Sequence, residues 1–447
     1  MKSVHIVSLG CPKNLVDSEV MLGVLEEVGY SVVEDPEDAQ LLLVNTCGFI
    51  RPAVEEAIDE ILRLAEYKTE DSGNYLVVTG CLVQRYGREL VEELPEVDLF
   101  IGTDDFSRIG QLLAELEEQT EPRLVTSEPF YLMSDSTPRK VSTPFFRAFL
   151  KITEGCNNRC SYCMIPSIRG GLRSRTIEDL LLETKRLESS GVKELTLIAQ
   201  DLTAYGNDLN GRENLVELLG ALLRETNIPW IRLLYLYPSS ISDSLLDLIA
   251  GEPRILPYFD IPFQHVSDNV LKRMNRRYGK ADLDALIVRI RSRVVNNSIR
   301  TSLITGFPGE TEDDVFEIID CLRTWRLDHV GVFQYADEEG SPAYEMEGKI
   351  PDDVKEDRYR RIMEVQAAIS AENLTRFEGG VEDVLVEGLS TESELLLEGR
   401  TRYQAPDIDG CVYIADGTAN PGDLVKVRIT ETHTYDMVGE ITGEGVK

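Results

Sequence analysis

No apolar run in the chain approaches the length of a membrane span, and no tract is of low complexity, so a folded protein outside the bilayer is expected. The opening run Val4-His5-Ile6-Val7-Ser8-Leu9 soon meets Asp17 and Glu19 and reads as a strand rather than a signal peptide, which points to the cytoplasm. Basic charge is short: 46 Lys and Arg stand against 79 Asp and Glu, a formal net charge of −33. Phosphate contacts need clustered Lys and Arg, so broad nucleic-acid binding is disfavoured. A basic protein partner suits this balance, as does charge kept only for solubility. The eight cysteines are too few and too scattered for a disulfide framework. In a reducing compartment such thiols stay free to bind metal.

At 447 residues the chain has room for two or three domains, each burying its own core. Its most organised stretch is the alternating strand Phe149–Thr153, which runs through Glu154 and Gly155 into Cys156, Cys160 and Cys163. Thiolates are soft ligands that suit iron–sulfur clusters or zinc. Structural zinc wants four Cys or His ligands, and neither a histidine nor a fourth cysteine lies nearby. A four-iron cluster on three cysteines keeps one iron open for a small molecule. Ligand count and spacing therefore favour it over zinc or plain buried thiols.

Within about residues 1–133, three strand-like runs each end at a cysteine. Val4–Leu9 leads to Gly10-Cys11, Leu41–Thr46 to Cys47, and Tyr75–Gly80 to Cys81. Amphipathic helical stretches lie near Asp17–Gly29, Arg51–Tyr67 and Val83–Glu93. This alternation predicts a parallel α/β sheet, whose strand ends share the edge where ligands bind. Cys11, Cys47 and Cys81 are then neighbours, either as a second three-ligand cluster or as ordinary small buried residues. Their equivalent positions favour the cluster.

The polar stretch 134–144 reads as a linker. Beyond it, about residues 145–375, six strands alternate with helices: Phe149–Thr153, Glu194–Ala199, Trp230–Leu236, Tyr258–Pro262, Arg300–Thr305 and His329–Tyr335. They predict a partial (βα)6 barrel with its active site at the carboxyl ends of the strands and one side open to a macromolecular substrate. Gln200-Asp201, Tyr237-Pro238, Gln264-His265 and Gly306-Phe307-Pro308-Gly309-Glu310 follow the second to fifth strands. Glycine there permits a close approach of backbone to ligand, though Glu310 would equally suit a plain helix start. His265 reads as a structural histidine, and Cys321, on a helix among apolar neighbours, as packing. Over about residues 376–447, five short runs predict a small antiparallel barrel. From Phe377 onward it holds 5 Lys/Arg against 15 Asp/Glu, so the basic footprint of an RNA-binding surface is missing. Cys411 falls in one of these strands and reads as packing.

The Cys-x3-Cys-x2-Cys spacing, with Tyr162 before the last cysteine and a first barrel strand ahead of it, resembles the radical S-adenosylmethionine superfamily. Met164 departs from that pattern, where a small residue is more usual. Gly306 to Glu310 resembles the superfamily's segment beside the adenosine of the cofactor. The flanks Gly10-Cys11-Pro12-Lys13-Asn14 with Asp17-Ser18-Glu19, Asn45-Thr46-Cys47 and Gly80-Cys81 resemble the methylthiotransferase family, and the terminal barrel resembles its TRAM domain. The Cys-Pro-Lys-Asn variant is similar to the branch that modifies an aspartate of the small-subunit ribosomal protein S-twelve. The transfer-RNA branch more often has glutamine after this cysteine.

This resemblance implies methylthiolation of the aspartate β-carbon, with S-adenosylmethionine as radical source and methyl donor. It implies two 4Fe–4S clusters, one on Cys156, Cys160 and Cys163, and a sulfur-transferring one on Cys11, Cys47 and Cys81. Tyr162, Gln200, Gly306 and Gly309 are the expected S-adenosylmethionine contacts, and no catalytic residue is assigned beyond the cluster ligands. The expected partners are ribosomal protein S-twelve and a reductant such as flavodoxin or ferredoxin, with the enzyme a monomer away from membranes and RNA. Its rivals are a transfer-RNA methylthiotransferase acting on a modified adenosine and a non-catalytic iron–sulfur or zinc module that docks on ribosomes. An ordinary RNA-binding scaffold conflicts with the acidic balance.

Overall fold

The computed structural model describes residues 2–68, 73–116, 123–211 and 213–443. Strands β1 (Lys2–Ser8), β2 (Tyr30–Val32), β3 (Leu41–Thr46), β4 (Tyr75–Gly80), β5 (Leu99–Ile101) and β6 (Arg123–Val125) form one parallel sheet, ordered β2-β1-β3-β4-β5-β6. On β3, Leu41 and Leu43 enter one core with the helix Pro12–Glu27, while Leu42 and Val44 enter another with the helix Arg51–Ala65. A strand apolar on both sides needs cover on both faces, which parallel crossovers supply. Three-residue strands such as β2, β5 and β6 carry too little alternation to be read in advance. The first helix starts at Pro12, ahead of the periodicity seen from Asp17, because buried Lys13, Asn14, Asp17, Ser18 and Glu19 break its apolar pattern.

The central unit opens with β7 (Arg147–Lys151) and a short antiparallel ribbon of β8 (Thr153–Glu154) and β9 (Arg173–Ser174) that brackets the cysteine loop. Strands β10 (Glu194–Ile198), β11 (Trp230–Leu233), β12 (Tyr258–Asp260), β13 (Ser298–Thr305) and β14 (His329–Gln334) follow. Two parallel triplets, β11-β10-β7 and β12-β13-β14, are joined by an Ile231–Ile255 bridge and by Leu236 N–H donating to Asp260 O at 2.9 Å. The six strands thus form the incomplete barrel, with helices such as Ile177–Ser189, Leu215–Glu225 and Glu312–Trp325 in the crossovers. Cys321 is buried on the last of these, within the barrel's apolar core.

Strands β15 (Val381–Leu389), β16 (Leu397–Thr401), β17 (Val412–Asp416), β18 (Leu424–Thr432) and β19 (Met437–Ile441) close a barrel in the order β15-β16-β17-β19-β18. Its β17–β19 seam is parallel, unlike the all-antiparallel barrel expected. An odd ring of strands cannot alternate direction all the way round. Cys411 sits half-buried just before β17, its N–H donating to Asp436 Oδ1 at 2.9 Å.

Two features tie the three units together more tightly than their composition suggests. Residues 134–144 form a packed strap rather than a free linker. Glu19 is fully buried and accepts hydrogen bonds from Arg139 Nη2 at 2.6 Å and Ser142 N at 2.7 Å, while Arg139 also donates to Phe149 O at 2.8 Å. Besides a core of its own in each unit, one apolar cluster continues from Val16 and Met21 through Phe149 and Ile198 to Leu385 and Ala405.

The terminal barrel also closes off the amino ends of the central strands. Asp407 meets Arg147 of β7 at 2.9 Å, Asp409 accepts from Tyr258 of β12 at 2.6 Å, and Tyr403 O lies 3.0 Å from His329 of β14. At the centre of this floor, Glu194 of β10 lies between Arg232 (2.5 Å) and Arg400 (2.7 Å), and Arg400 also reaches Glu387 at 2.6 Å. The far side, at the carboxyl ends, is left for chemistry.

Replacing Glu194 by Gln should leave two buried guanidinium groups without their shared counter-charge, a loss of about 3–5 kcal/mol in denaturant unfolding at neutral pH. Burial opposes the charged carboxylate, but Arg232 and Arg400 hold it down to about 2 from an ordinary 4.5. Its stabilisation is complete above the ordinary value and fades as pH falls from there through about 2. Acid unfolding of Glu194→Gln should therefore lack that component of the wild-type pH dependence.

Candidate functional site

The strand ends of β1, β3 and β4 bring Cys11, Cys47 and Cys81 together, and glycines allow the approach. Gly10 has φ +92°, and a Cβ on it would fall 2.8 Å from Cys47 Cβ. A Cβ on Gly48 would fall 2.6 Å from Leu82 Cα, against the Cys81 turn. Hydrogen bonds then lock the loops. Asn14 Nδ2 donates to Leu9 O (2.7 Å) and Thr46 O (3.3 Å), and Asn45 Nδ2 donates to Asn14 O and Ser18 Oγ (2.8 Å each). Cys11 precedes the helix Pro12–Glu27 at its N-cap, and Cys81 begins the helix Cys81–Glu93.

The second trio occupies the loop between β8 and the helix Ile165–Arg169. Each of its sulfurs accepts a donor: Asn158 N to Cys156 Sγ (3.4 Å), Arg276 Nη1 to Cys160 Sγ (3.4 Å) and Ile165 N to Cys163 Sγ (3.5 Å). Arg276 is held over the rings of Tyr237 (4.5 Å) and Tyr278 (5.0 Å) and donates to Pro262 O at 2.7 Å.

The two trios adjoin. Met164, the residue that departed from the superfamily pattern, packs with Ile168 against Cys81. Thr103 Oγ1 donates to Ile168 O at 2.9 Å. Between them lies a buried charge cluster in which Asp17 pairs with Lys151 and, at 2.8 Å, with Arg169, while Glu154 pairs with the same two cations. Lys13 stands 3.4 Å from the ring of Tyr235 and 3.4 Å from Ala199 O, both just past strand ends of the barrel. On the other flank Arg85 bonds Gly48 O (3.1 Å) and pairs with Glu338 (2.7 Å), whose carboxylate also accepts from Arg51 N at 2.6 Å. The amino-terminal sheet is thereby fastened across the mouth of the barrel.

Electrostatics separate the thiols. Burial pushes Cys11 up, but Lys13 and Arg169 outweigh it and leave the thiol lowered. Burial and the neighbouring Cys81 push Cys47 up to about 12, and burial also raises Cys81 against the pull of Arg169. In the second trio burial raises Cys156 and pushes Cys163 up to about 12. Two sets of thiols that each feel their fellows' charge, with no disulfide among them, form soft donor sets. Among the described residues no group of three or more His, Cys, Asp or Glu side chains is arranged to hold a single metal ion. Three thiolates in each set are soft ligands of the kind that iron–sulfur clusters or zinc take.

The other expected residues fall at the same mouth. Tyr162 packs beside Val270, Met274, Phe307 and Tyr335, where burial lifts its phenol well above the usual range. Gln200 is half-buried beside Asp201, which accepts from Asn158 of the cysteine loop at 2.8 Å. Gly306 and Gly309 have φ of +77° and +81°. Their missing side chains make room for protein neighbours: a Cβ would fall 2.3 Å from Lys355 Cγ and 2.8 Å from Arg273 Cζ, respectively. Gly306 N donates to both Glu310 oxygens (2.9 and 3.0 Å), and Arg358 braces that carboxylate at 2.8 Å. His265 is fully buried, accepts from Ser267 N at 2.9 Å and lies 3.3 Å from Glu310, a structural place. Sequence reading missed Lys151, Glu154, Arg169 and Arg276. Arg169, set before two glycines just past a thiol loop, left a weak trace, and Arg276 left none.

Comparison with known proteins covers nearly the whole chain. Residues 3–102 match an uncharacterized protein family, UPF0004, residues 150–322 the radical SAM superfamily, and residues 379–442 the TRAM domain. The chain is 53% identical over 437 residues to the ribosomal protein uS12 methylthiotransferase RimO of Desulfotalea psychrophila, covering 98% of each chain. It is 50% identical over 440 residues to the protein of the same name from Citrifermentans bemidjiense, again 98% of each. Among solved structures, the radical S-adenosylmethionine methyltransferase TsrM of Kitasatospora setae, with cobalamin and a 4Fe–4S cluster bound, shares the fold. Its TM-score is 0.56 at 17% identity, over 75% of each chain.

Gly10→Ala adds a methyl group to a left-handed residue already touching Cys47, whereas Gly29→Ala, at φ +91° with nothing within 4 Å, adds backbone strain alone. Each should lose about 1–3 kcal/mol from the backbone. In denaturant unfolding, the loss for Gly10→Ala should exceed that for Gly29→Ala, and the excess measures how tightly the cysteine loops nest.

Proposed function

The chain belongs to the ribosomal protein uS12 methylthiotransferase family, and from that premise we propose that it replaces a β-hydrogen of an aspartate in this ribosomal protein with a methylthio group. The observation that carries the proposal is the adjacency of two thiol trios, with Met164 and Ile168 of one loop packed on Cys81 of the other. An aspartate β C–H is not appreciably acidic, so a side-chain base is a poor route to its removal. When bound, a 4Fe–4S cluster with S-adenosylmethionine supplies a hydrogen-abstracting carbon radical, and a second S-adenosylmethionine supplies the methyl group.

Cys156, Cys160 and Cys163 would hold the cluster that engages S-adenosylmethionine, and Cys11, Cys47 and Cys81 the cluster that carries sulfur. Tyr162, Gln200, Gly306 and Gly309 would line the S-adenosylmethionine side, with Glu310 and Arg358 keeping the glycine turn in place. The sheet clamped over the barrel mouth by Lys13, Arg85 and Asp17 would limit the access of water to the reacting atoms. The acidic surface favours a basic ribosomal protein over RNA, which repels it. We further propose domains at about 1–133, 145–375 and 376–447, a flavodoxin- or ferredoxin-like reductant, a monomer, and a cytoplasmic location. Among the described residues no helix is long and apolar enough to cross a membrane.

Anaerobically reconstituted, reduced enzyme given S-adenosylmethionine together with uS12 peptide and with transfer RNA should add a methylthio mass to the peptide. Modification of RNA alone, read by mass spectrometry, overturns the reading. Cys11→Ala and Cys156→Ala should each lose about half of the bound iron, since each disables one of two clusters.

A further inference from the structure

Each trio has one sulfur that takes a hydrogen bond from an arginine, and the arginine at the amino-terminal trio is unusually placed. Arg169 is 3% exposed and comes from the barrel's cysteine loop, yet its Nη2 points to Cys81 Sγ at 3.6 Å, on the opposite domain. Its fork is fixed on three sides: Asp17 at 2.8 Å, Glu154 at 3.4 Å and Asn14 Oδ1 at 3.1 Å. With Lys151 the local charges of Asp17, Glu154, Lys151 and Arg169 cancel formally. Within this balanced group the guanidinium is the part that contacts the Cys81 sulfur.

Resting on the ligand assignment proposed above, we propose that Arg169 is a positioning residue that sets the reduction potential of the amino-terminal cluster through its contact with Cys81, and that Asp17 holds it there. Reduction adds one electron, and so one negative charge, to the cluster without breaking a bond. A donor aimed at a ligand sulfur stabilises that added charge and raises the potential. Because the donor comes from the loop that carries the other trio, the potential of one cluster depends on the domains being docked. Arg276, bonded to Cys160 at 3.4 Å, belongs to the other trio and should leave the amino-terminal cluster untouched.

The test is a dithionite titration followed by electron paramagnetic resonance on the full-length, two-cluster protein. It is repeated in a full-length background with Cys156, Cys160 and Cys163 replaced by Ala, which isolates the amino-terminal signal. Arg169→Gln should shift that signal's midpoint to more negative potential, and Arg169→Lys should shift it less. The midpoint of the other cluster should stay within error. Folding and cluster loading are checked by thermal melts and by iron and sulfide content. An unchanged midpoint in a loaded Arg169→Gln protein overturns the proposal. If Arg169→Gln loses its cluster, the Arg169→Lys variant decides, and a folded protein that loses the cluster in both overturns tuning in favour of a purely structural role. Absence of any amino-terminal cluster from the wild type instead removes the ligand assignment itself.

Discussion

Asp17 lies between Lys151 and Arg169 where water does not reach, and the arrangement of the catalytic mouth depends on that pairing. A buried cation is costly unless an anion meets it, and removing one partner leaves the penalty of the other unrelieved. The barrel brings Lys151 and Arg169 here but only Glu154 from its own residues to balance them. The missing negative charge comes from the amino-terminal helix. Docking of that domain is thus a matter of neutralising charge as well as burying apolar surface, and it brings Cys11, Cys47 and Cys81 to the barrel's thiol loop.

The same constraint explains a signature whose residues each have a separate duty. In the run from Cys11 to Glu19, Lys13 reaches the ring of Tyr235 and Asn14 knits two cysteine loops. Asp17 neutralises the barrel's cations, Ser18 supports Asn45, and Glu19 binds the strap. Apart from its cysteine the motif is an interface. Its residues are polar because the surface they meet is charged, and buried because that surface closes over them.

The sheet, the partial barrel and the small terminal barrel were legible because long strands carry alternation and thiols at strand ends mark an edge. Cys156, Cys160 and Cys163 could be named as candidates from their spacing, and Cys11, Cys47 and Cys81 from their places after strands. Short elements such as β5 and β6 could not be read, since three residues hold no period. The role of Arg169 was hidden for another reason. Its partners Asp17, Glu154 and Cys81 are distant in sequence, and only the docked arrangement shows an arginine of one loop aimed at a sulfur of another. The glycines at 306 and 309 carried a half-legible message: the need for glycine was clear, but the crowding groups are Lys355 and Arg273. The polar composition of residues 134–144 was misleading, because a segment rich in serine and threonine reads as free chain even when its arginine and backbone amides satisfy a buried carboxylate.

That strap changes what it means to divide the molecule. Cutting the chain where its composition is most polar would strip Glu19 of its donors and strand a carboxylate in an apolar interior, so neither fragment would be a faithful copy of its part in the whole. The two neighbours it joins cannot rock like beads on a string.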